Sequence, residues 1–282
     1  MTESALHRER DGEIAVHLAR LEAAVAARGP MVVAYSGGVD SGLLAYVAHR
    51  VLGTRMRCVI GVSPSLSSGE ERHAIAFLEA RGIPYTRLAT GEVDDPRYRA
   101  NGPDRCYFCK SELFERIESA PESRRFPVLA YGANADDRFE HRPGARAAAE
   151  RGVAAPLAEA GFTKEMVRRA ARSLGLSLWD KPAAPCLASR IPYHSAVTPE
   201  KLRQVDLAET ALRKRGFAAC RVRHHDELAR VEVPVRDLAR LREADTWREV
   251  EEEIRAAGFA RVELAEDGLR SGRLSEALRP AP

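Results

Sequence analysis

The sequence lacks long apolar stretches and a strong charge excess, and each absence excludes a class of protein. No apolar run approaches the roughly 20 residues needed to span a bilayer, so we expect no membrane domain. The first 13 residues are polar and carry both charge signs, which is not the pattern of a signal peptide. The net charge is only +3, from 44 basic and 41 acidic residues, too little to indicate a nucleic-acid-binding surface. We therefore expect a cytoplasmic protein that binds neither membrane nor nucleic acid.

The sequence also lacks the even number of cysteines that a fully paired set of disulfides would need. Its five cysteines argue against a disulfide framework and toward metal binding or reactive thiols for any that cluster. Its 282 residues, 45% hydrophobic and 30% charged, have the balance of a globular protein with one large or two modest domains. We expect two.

Apolar strands alternate with amphipathic helices in the first half of the chain. This pattern predicts an α/β fold with a doubly wound parallel sheet, whose ligands bind at the carboxyl ends of the strands. The predicted strands are residues 31–34, 58–62, 85–89 and 127–131, and the predicted helices are residues 12–28, 43–51, 68–82, 104–120 and 163–174.

The pattern changes after a proline-rich stretch at residues 179–195. We predict an N-terminal domain at residues 1–178, a linker at 179–195 and a smaller α+β domain at 196–282. The smaller domain should contain a helix opened by Thr198, strands at 220–223, 229–233 and 261–264, and a helix that starts at Thr246.

A glycine-rich loop joins the first strand to the next helix. Two glycines let the backbone approach a ligand, and the free N–H groups of a helix start favour a bound anion. The loop is not a Walker A motif, because no Gly-Lys-Ser/Thr follows, nor is it a dinucleotide turn. An ordinary glycine-rich turn is the alternative. The motif resembles the PP-loop of ATP pyrophosphatases and consists of Ser36, Gly37, Gly38, Val39, Asp40 and Ser41.

Small and polar residues follow two other predicted strands. Ser63 follows the second strand, and Asn134 and Asp136 follow the fourth, so all three should face the same crevice as the first loop. They are candidate nucleotide and substrate contacts. The alternative is that Asn134 and Asp136 only shape a turn.

Three cysteines lie outside the apolar strand patterns. Cys106 and Cys109 open a helix, where thiolates are favoured, and Cys186 lies in the proline-rich stretch. Cys58 and Cys220 are predicted to be buried in the core. From spacing alone, a zinc ion, an iron–sulfur cluster with one open iron, and a redox pair with an unrelated third cysteine all remain open.

Several motifs together resemble the LarE family, the ATP-dependent sulfur transferases of nickel-pincer nucleotide synthesis. Besides the first loop, the matching segments are residues 104–110, 132–137 with 142–144, 179–190, 200–202 and 270–272. The resemblance implies adenylation of a carboxylate of pyridinium-3,5-biscarboxylic acid mononucleotide, release of pyrophosphate and replacement of the adenylate by sulfur. It also implies a homohexamer.

Two sulfur sources occur in this family. In one class, the cysteine matching Cys186 gives up its own sulfur. In the other, cysteines matching Cys106, Cys109 and Cys186 hold a [4Fe-4S] cluster that carries sulfide from an external sulfur donor. All three cysteines are present here, so the resemblance implies the cluster class.

The remaining site assignments concern ions and phosphates. We expect Asp40 to help hold Mg²⁺ for ATP, and Ser189 and Arg190 of the last motif to contact the substrate. Arg221 and Arg223 project from one face of a predicted strand and are further candidates for its phosphate, with solvated surface as the alternative.

One departure and two competing functions stay open. His194 stands where the family pattern has glycine, which leaves the conformation of that loop in question. A PP-loop tRNA thiolase would also use three cysteines, although it should carry a basic stripe. A nucleotide-binding sensor without turnover is the third hypothesis.

Overall fold

The computed structural model describes residues 3–138 and 143–269. Arg142 and residues 270–272, part of the family motifs, lie outside the described residues. The described chain forms two compact units. The first contains the chain up to Val62 with Glu70–Glu92 and Cys106–Ala184, and the second contains Ser63–Gly69, Val93–Arg105 and the chain from Pro185 onward.

Helices and strands succeed one another along both units. In order they are α1 (Glu3–Arg28), β1 (Met31–Ala34), α2 (Val39–Leu52), β2 (Met56–Val62), α3 (Ser68–Ala80), β3 (Tyr85–Ala89), α4 (Pro96–Arg99), α5 (Arg105–Ser119), α6 (Pro121–Arg125), β4 (Val128–Tyr131), α7 (Pro143–Glu150), α8 (Pro156–Glu159), α9 (Lys164–Ser173), α10 (Pro199–Lys214), β5 (Arg221–His225), β6 (Leu228–Glu232), α11 (Leu238–Leu241), α12 (Ala244–Ala256) and β7 (Arg261–Leu264). Short 3₁₀ helices lie at Gly53–Arg55, Glu92–Asp94, Ala135–Arg138, Leu187–Arg190 and Val235–Asp237.

The first unit is built on a four-stranded parallel sheet in the order β3-β2-β1-β4. All four residues of β1 are apolar and buried, as a central strand covered on both faces requires. The strand order reverses at β1, because β2 lies on one side and β4 on the other. The loops that follow β1 and β4 therefore start side by side, at the topological switch point where ligands bind in such sheets.

The second unit has a smaller sheet in the order β5-β6-β7. β5 and β6 pair antiparallel, and β6 and β7 pair parallel. Residues of β5, β6, α10 and α12 share one apolar core, which includes Leu212, Val222, Val231 and Ile254. The hydroxyl of Thr198 caps α10 by accepting from the amide of Lys201, as the sequence predicts.

The predicted parallel α/β fold of the PP-loop type is confirmed, and every predicted strand is present with ends within two residues. The first helix begins at Glu3 rather than residue 12, and α12 begins at Ala244 rather than Thr246. Sequence reasoning missed α4, α6, α7, α8 and α11, because four to eight residues are too few to show a helical period. The predicted domain boundaries at 178 and 195 stay predictions.

Within residues 3–138 and 143–269, no helix combines the length and the apolar character that crossing a bilayer requires.

His194 occupies a left-handed backbone conformation in the second unit. Its φ is 67°, and its amide donates to the carbonyl of Asn101, whose own φ is 54°. The Asn101 side chain in turn donates to the carbonyls of Pro192 and Ser195 at 2.7 and 2.9 Å. The left-handed region costs a side chain about 1–2 kcal/mol and costs glycine almost nothing. The loop thus has the conformation that the expected glycine would favour.

We predict that His194→Gly raises the free energy of unfolding by about 0.5–1 kcal/mol, the relieved strain less the extra entropy of an unfolded glycine. Urea unfolding of the full chain measures it. His73→Gly, at an exposed position inside α3, is the matched control and should lower stability. A lower urea midpoint for His194→Gly would contradict the strain argument.

Candidate functional site

The glycine loop forms the turn between β1 and α2 in the first unit. The hydroxyl of Ser41 accepts from the amide of Ser36 at 3.2 Å and donates to the carbonyl of Gly38 at 3.2 Å, which closes the loop on itself. Gly38 precedes α2, and no described side chain caps the helix there. The first amides of a 14-residue helix are thus available to an anion, with the helix dipole behind them.

The conformation of this loop depends on two glycines, one within it and one in the loop after β4. Gly37 has a φ of 75°, and a Cβ on it would lie 3.0 Å from the Cβ of Ala74. Gly132, directly after β4, is more restricted, because a Cβ there would lie 2.5 Å from the backbone nitrogen of Ser41. Only glycine lets the loop after β4 approach the start of α2 so closely. Sequence reasoning included Gly132 in the 132–137 motif but gave it no role of its own, since this constraint comes from a distant segment.

The loop after β4 contacts the glycine loop through Asp40. The side-chain amide of Asn134 donates to Asp40 Oδ1 at 3.3 Å, and the side-chain oxygen of Asn134 accepts from the amide of Asp136 at 3.0 Å. Asn134 therefore shapes its turn, as one of the two alternatives holds, and its side chain also reaches the first loop. Contact of either residue with a nucleotide stays a prediction.

Lys164 completes this cluster. Its ammonium group pairs with Asp40 Oδ2, and its backbone amide donates to Asp136 Oδ2 at 2.8 Å. The Lys164 side chain is 42% exposed, so its charge can reach a bound ligand. Sequence reasoning missed this residue. The one available signal was a lysine in the first turn of a helix, where the dipole disfavours a positive charge.

Ser63 lies in the second unit, after β2. Its hydroxyl accepts from the amide of Ser65 at 3.1 Å and shapes the turn. The carbonyl of Ser65 accepts from the amide of Leu187 at 2.9 Å, and the Ser65 hydroxyl hydrogen-bonds that of Tyr98 at 2.7 Å. This loop therefore holds the residue next to Cys186.

All five cysteines are free thiols. Cys58 and Cys220 are buried, as predicted, and burial raises the pKa of both, to about 12 for Cys220. Cys106 and Cys186 are exposed and Cys109 is half-buried. Cys106, Cys109 and Cys186 are therefore the thiols that are open to reaction with a ligand.

Cys106 and Cys109 lie in the first turn of α5, beside Lys110. Burial lowers the pKa of Lys110, and the charges of Cys109 and Cys106 act in the opposite direction. The Lys110 ammonium also lies 5.5 and 5.7 Å from the ring centroids of Phe114 and Tyr131. A cation and a helix start beside two thiols both favour their thiolate forms.

The three cysteines outside the core do not form an assembled metal site in this structure. Among the described residues, no group of three or more His, Cys, Asp or Glu side chains is placed to hold a metal ion. By exposure, Cys106, Cys109 and Cys186 nevertheless fit an iron–sulfur group, whereas the two buried thiols do not.

Arg190 holds the segment around Cys186 in the second unit. Its guanidinium pairs with Glu209 through Nε at 2.7 Å and Nη2 at 3.1 Å. Its Nη1 donates to the carbonyls of Pro185 and Cys186 and to the hydroxyl of Ser189. Burial opposes the charge, but the Glu209 carboxylate holds the pKa of Arg190 above its usual range. Its predicted contact with substrate phosphate stays a prediction.

Two more arginines hold this segment within the second unit. Arg105, the residue before Cys106, donates to the carbonyl of Ala188 at 3.0 Å. Arg223 donates to the carbonyl of Ser189 at 3.0 Å and pairs with Glu232 at 3.1 Å. Arg105 of the 104–110 motif and Arg223 of β5 thus both contact the backbone of residues 185–190.

Comparisons with known proteins identify the family, although no family model matches the chain. The chain is 32% identical over 270 residues to the pyridinium-3,5-bisthiocarboxylic acid mononucleotide synthase of Lactiplantibacillus plantarum, covering 95% of this chain and 97% of that protein. It is 41% identical over 247 residues to an uncharacterized protein of Synechocystis sp., covering 88% and 92%. An uncharacterized protein of Methanocaldococcus jannaschii is 30% identical over 203 residues, covering 72% and 77%.

Near-complete coverage at this identity confirms the resemblance that the motifs indicate. The chain therefore belongs to the LarE family of pyridinium-3,5-bisthiocarboxylic acid mononucleotide synthases and is an enzyme.

Proposed function

We propose that this enzyme uses ATP to replace carboxylate oxygen by sulfur in pyridinium-3,5-biscarboxylic acid mononucleotide. The relative from Lactiplantibacillus plantarum is named for the bisthiocarboxylic product of such a replacement. The observation that carries the proposal is the uncapped start of α2 at the switch point of the sheet, with Asp40 beside it. This geometry suits the phosphates of a nucleotide.

The first half-reaction activates the carboxylate. A carboxylate resists nucleophiles because of its charge, so one of its oxygens attacks the α-phosphorus of ATP and pyrophosphate leaves. The amides at the start of α2 stabilise the charge on the departing pyrophosphate, and fixed donors of this kind are typically worth about 3 kcal/mol each.

Asp40 and Lys164 provide the charges for this step. Mg²⁺ usually binds one or two carboxylates together with phosphate oxygens, and Asp40 with Asp136 would supply them here. The Lys164 ammonium group then leaves Asp40 and pairs with a phosphate oxygen. Its side chain is 42% exposed, which leaves room for this change of partner. The ion pair keeps both groups in place before ATP binds.

The second half-reaction replaces the adenylate by sulfur, and AMP leaves with the carboxylate oxygen. We propose Cys106, Cys109 and Cys186 as ligands of a [4Fe-4S] cluster, which when bound would offer an iron without a protein ligand to hold sulfide from a sulfur donor. Lys110 and the start of α5 favour the thiolates of Cys106 and Cys109. Arg190 fixes the backbone of Cys186 through its carbonyl.

Donation of sulfur by Cys186 itself is the alternative, because its thiol is exposed. It would leave dehydroalanine at position 186. A Cys186 peptide that has lost the mass of H₂S after turnover would favour that route.

The substrate phosphate should bind near Arg223. Burial lowers the pKa of Arg221, and the charges of Arg190 and Arg223 lower it further, while Glu232 and Glu209 act in the opposite direction. Three cations thus share one region of the second unit with two carboxylates. Arg223 Nη2 is buried and has no hydrogen-bond partner among the described residues. An anion at this point would relieve the repulsion and accept that hydrogen bond.

Two further properties follow from the family resemblance. We propose a homohexamer, and we propose that the enzyme works in the cytoplasm. The second proposal agrees with five thiols that are all free.

We predict that the enzyme releases pyrophosphate from ATP only when the biscarboxylic mononucleotide is present, and that Asp40→Asn slows the release about 100-fold. A coupled pyrophosphate assay measures both rates. Asp245→Asn, at an 89% exposed position, is the matched control and should match the unchanged enzyme. Substrate-independent release, or full activity of Asp40→Asn, would overturn the assignment.

We predict that anaerobically reconstituted protein binds iron with charge-transfer absorption, and that Cys106→Ala abolishes both signals. Cys220→Ala, which removes a buried thiol, should retain both signals. Iron binding that is unchanged in Cys106→Ala would refute the ligand set.

A further inference from the structure

Lys181, five residues before Cys186, contacts the glycine loop within the first unit. Its ammonium nitrogen donates to the carbonyl of Gly37 at 2.9 Å and lies 2.7 Å from Glu70 Oε2. The Lys181 and Glu70 side chains are 19% and 22% exposed, so water competes little for the pair. We propose that Lys181 is a positioning residue for ATP, which holds the glycine loop in its phosphate-binding conformation. This inference rests on the proposed function.

The geometry of the peptide bond explains how Lys181 acts. The carbonyl of Gly37 and the N–H of Gly38 belong to one planar trans peptide group, so they point in opposite directions. A carbonyl held by Lys181 therefore turns the Gly38 N–H away from Lys181. Gly38 is the residue that precedes α2, where an anion meets the helix start.

The loop needs such a restraint because it contains two successive glycines. Gly37 has a φ of 75°, and glycine visits both signs of φ with little preference. Without a partner, the peptide group between Gly37 and Gly38 could rotate and direct its carbonyl oxygen at the phosphates. Repulsion between that oxygen and the phosphate charge would then weaken ATP binding.

Lys181 is itself held in place through its backbone. Arg168 donates to the carbonyls of Trp179 and Lys181, both at 2.8 Å. The backbone amide of Lys181 donates to the carbonyl of Leu178 at 3.1 Å. Leu178 packs against Gly42 of α2, where a Cβ would lie 2.8 Å from Leu178 Cδ2. The lysine therefore extends from a fixed segment toward the loop and loses little entropy in making its contacts.

The test compares binding of α,β-methylene-ATP, which is not cleaved between its first two phosphates, to full-length variants by titration calorimetry. We expect Lys181→Met to raise the Kd of the analogue about tenfold. Lys181→Arg keeps the charge and a donor, and should stay within about threefold of the unchanged protein. In turnover, Lys181→Met should raise the KM for ATP more than it lowers kcat, as loss of ATP positioning requires.

Lys201→Met is the matched control in the second unit. Lys201 is 20% exposed and donates to one hydroxyl, Ser195 at 2.9 Å, and one carboxylate, Asp226 at 2.7 Å. Its removal should leave the Kd of the analogue unchanged. If Lys181→Met does not fold, Lys181→Leu, which also lacks a donor, takes its place with the same expectations.

The possible outcomes separate this inference from the proposed function. Failure of the unchanged protein to bind the analogue would refute the ATP-dependent function itself. An unchanged Kd in the Lys181 variant, or equal weakening in the Lys181 and Lys201 variants, would overturn the positioning role alone. A weakened Lys181→Met that Lys181→Arg restores would support it.

Discussion

The start of α2 must stay free of side-chain caps, and much of the first unit depends on this constraint. The first N–H groups of a helix without a side-chain cap are left to water, and an anion can take the place of that water. The loop that contains it is therefore held by other means: the Ser41 hydroxyl closes it, and Lys181 holds the Gly37 carbonyl. The protein fixes the shape of the loop and leaves the amides to the ligand.

A backbone contact brings the loop after β4 to the same place. Gly132 lets the end of β4 touch Ser41, and Asn134 then reaches Asp40 from the following turn. The opposite charges of Asp40 and Lys164 form a pair that Mg²⁺ and phosphate would separate. Under the proposed function, the binding of MgATP would exchange this one ion pair for two.

The second unit follows a different electrostatic principle, in which buried arginines are paired with buried carboxylates. Glu209 and Glu232 accept from Arg190 and Arg223, and the same arginines donate to the backbone around Cys186. A buried guanidinium without a carboxylate would be strongly unfavourable. The acids therefore allow the arginines to order the cysteine segment.

The sequence predicted the fold well, because apolar strands and capped helices are local patterns. The glycine loop and the exposed cysteines were recognisable for the same reason. The same local patterns could not assign roles to Lys164, Lys181 and Gly132. Each of these residues acts on a partner far away in the sequence, at separations of 124, 144 and 91 positions, respectively. The role of Arg190 was also hidden, because a motif reveals an arginine but not its partner Glu209.

Activation of the carboxylate by ATP is the central claim, and isotope transfer tests it most directly. Substrate with ¹⁸O in its carboxylates should be incubated with ATP, a sulfur source and the reconstituted enzyme, and the AMP analysed by mass spectrometry. If a carboxylate oxygen attacks the α-phosphorus, each AMP formed carries one ¹⁸O atom. AMP without the label, formed together with the thiocarboxylate product, would contradict the account.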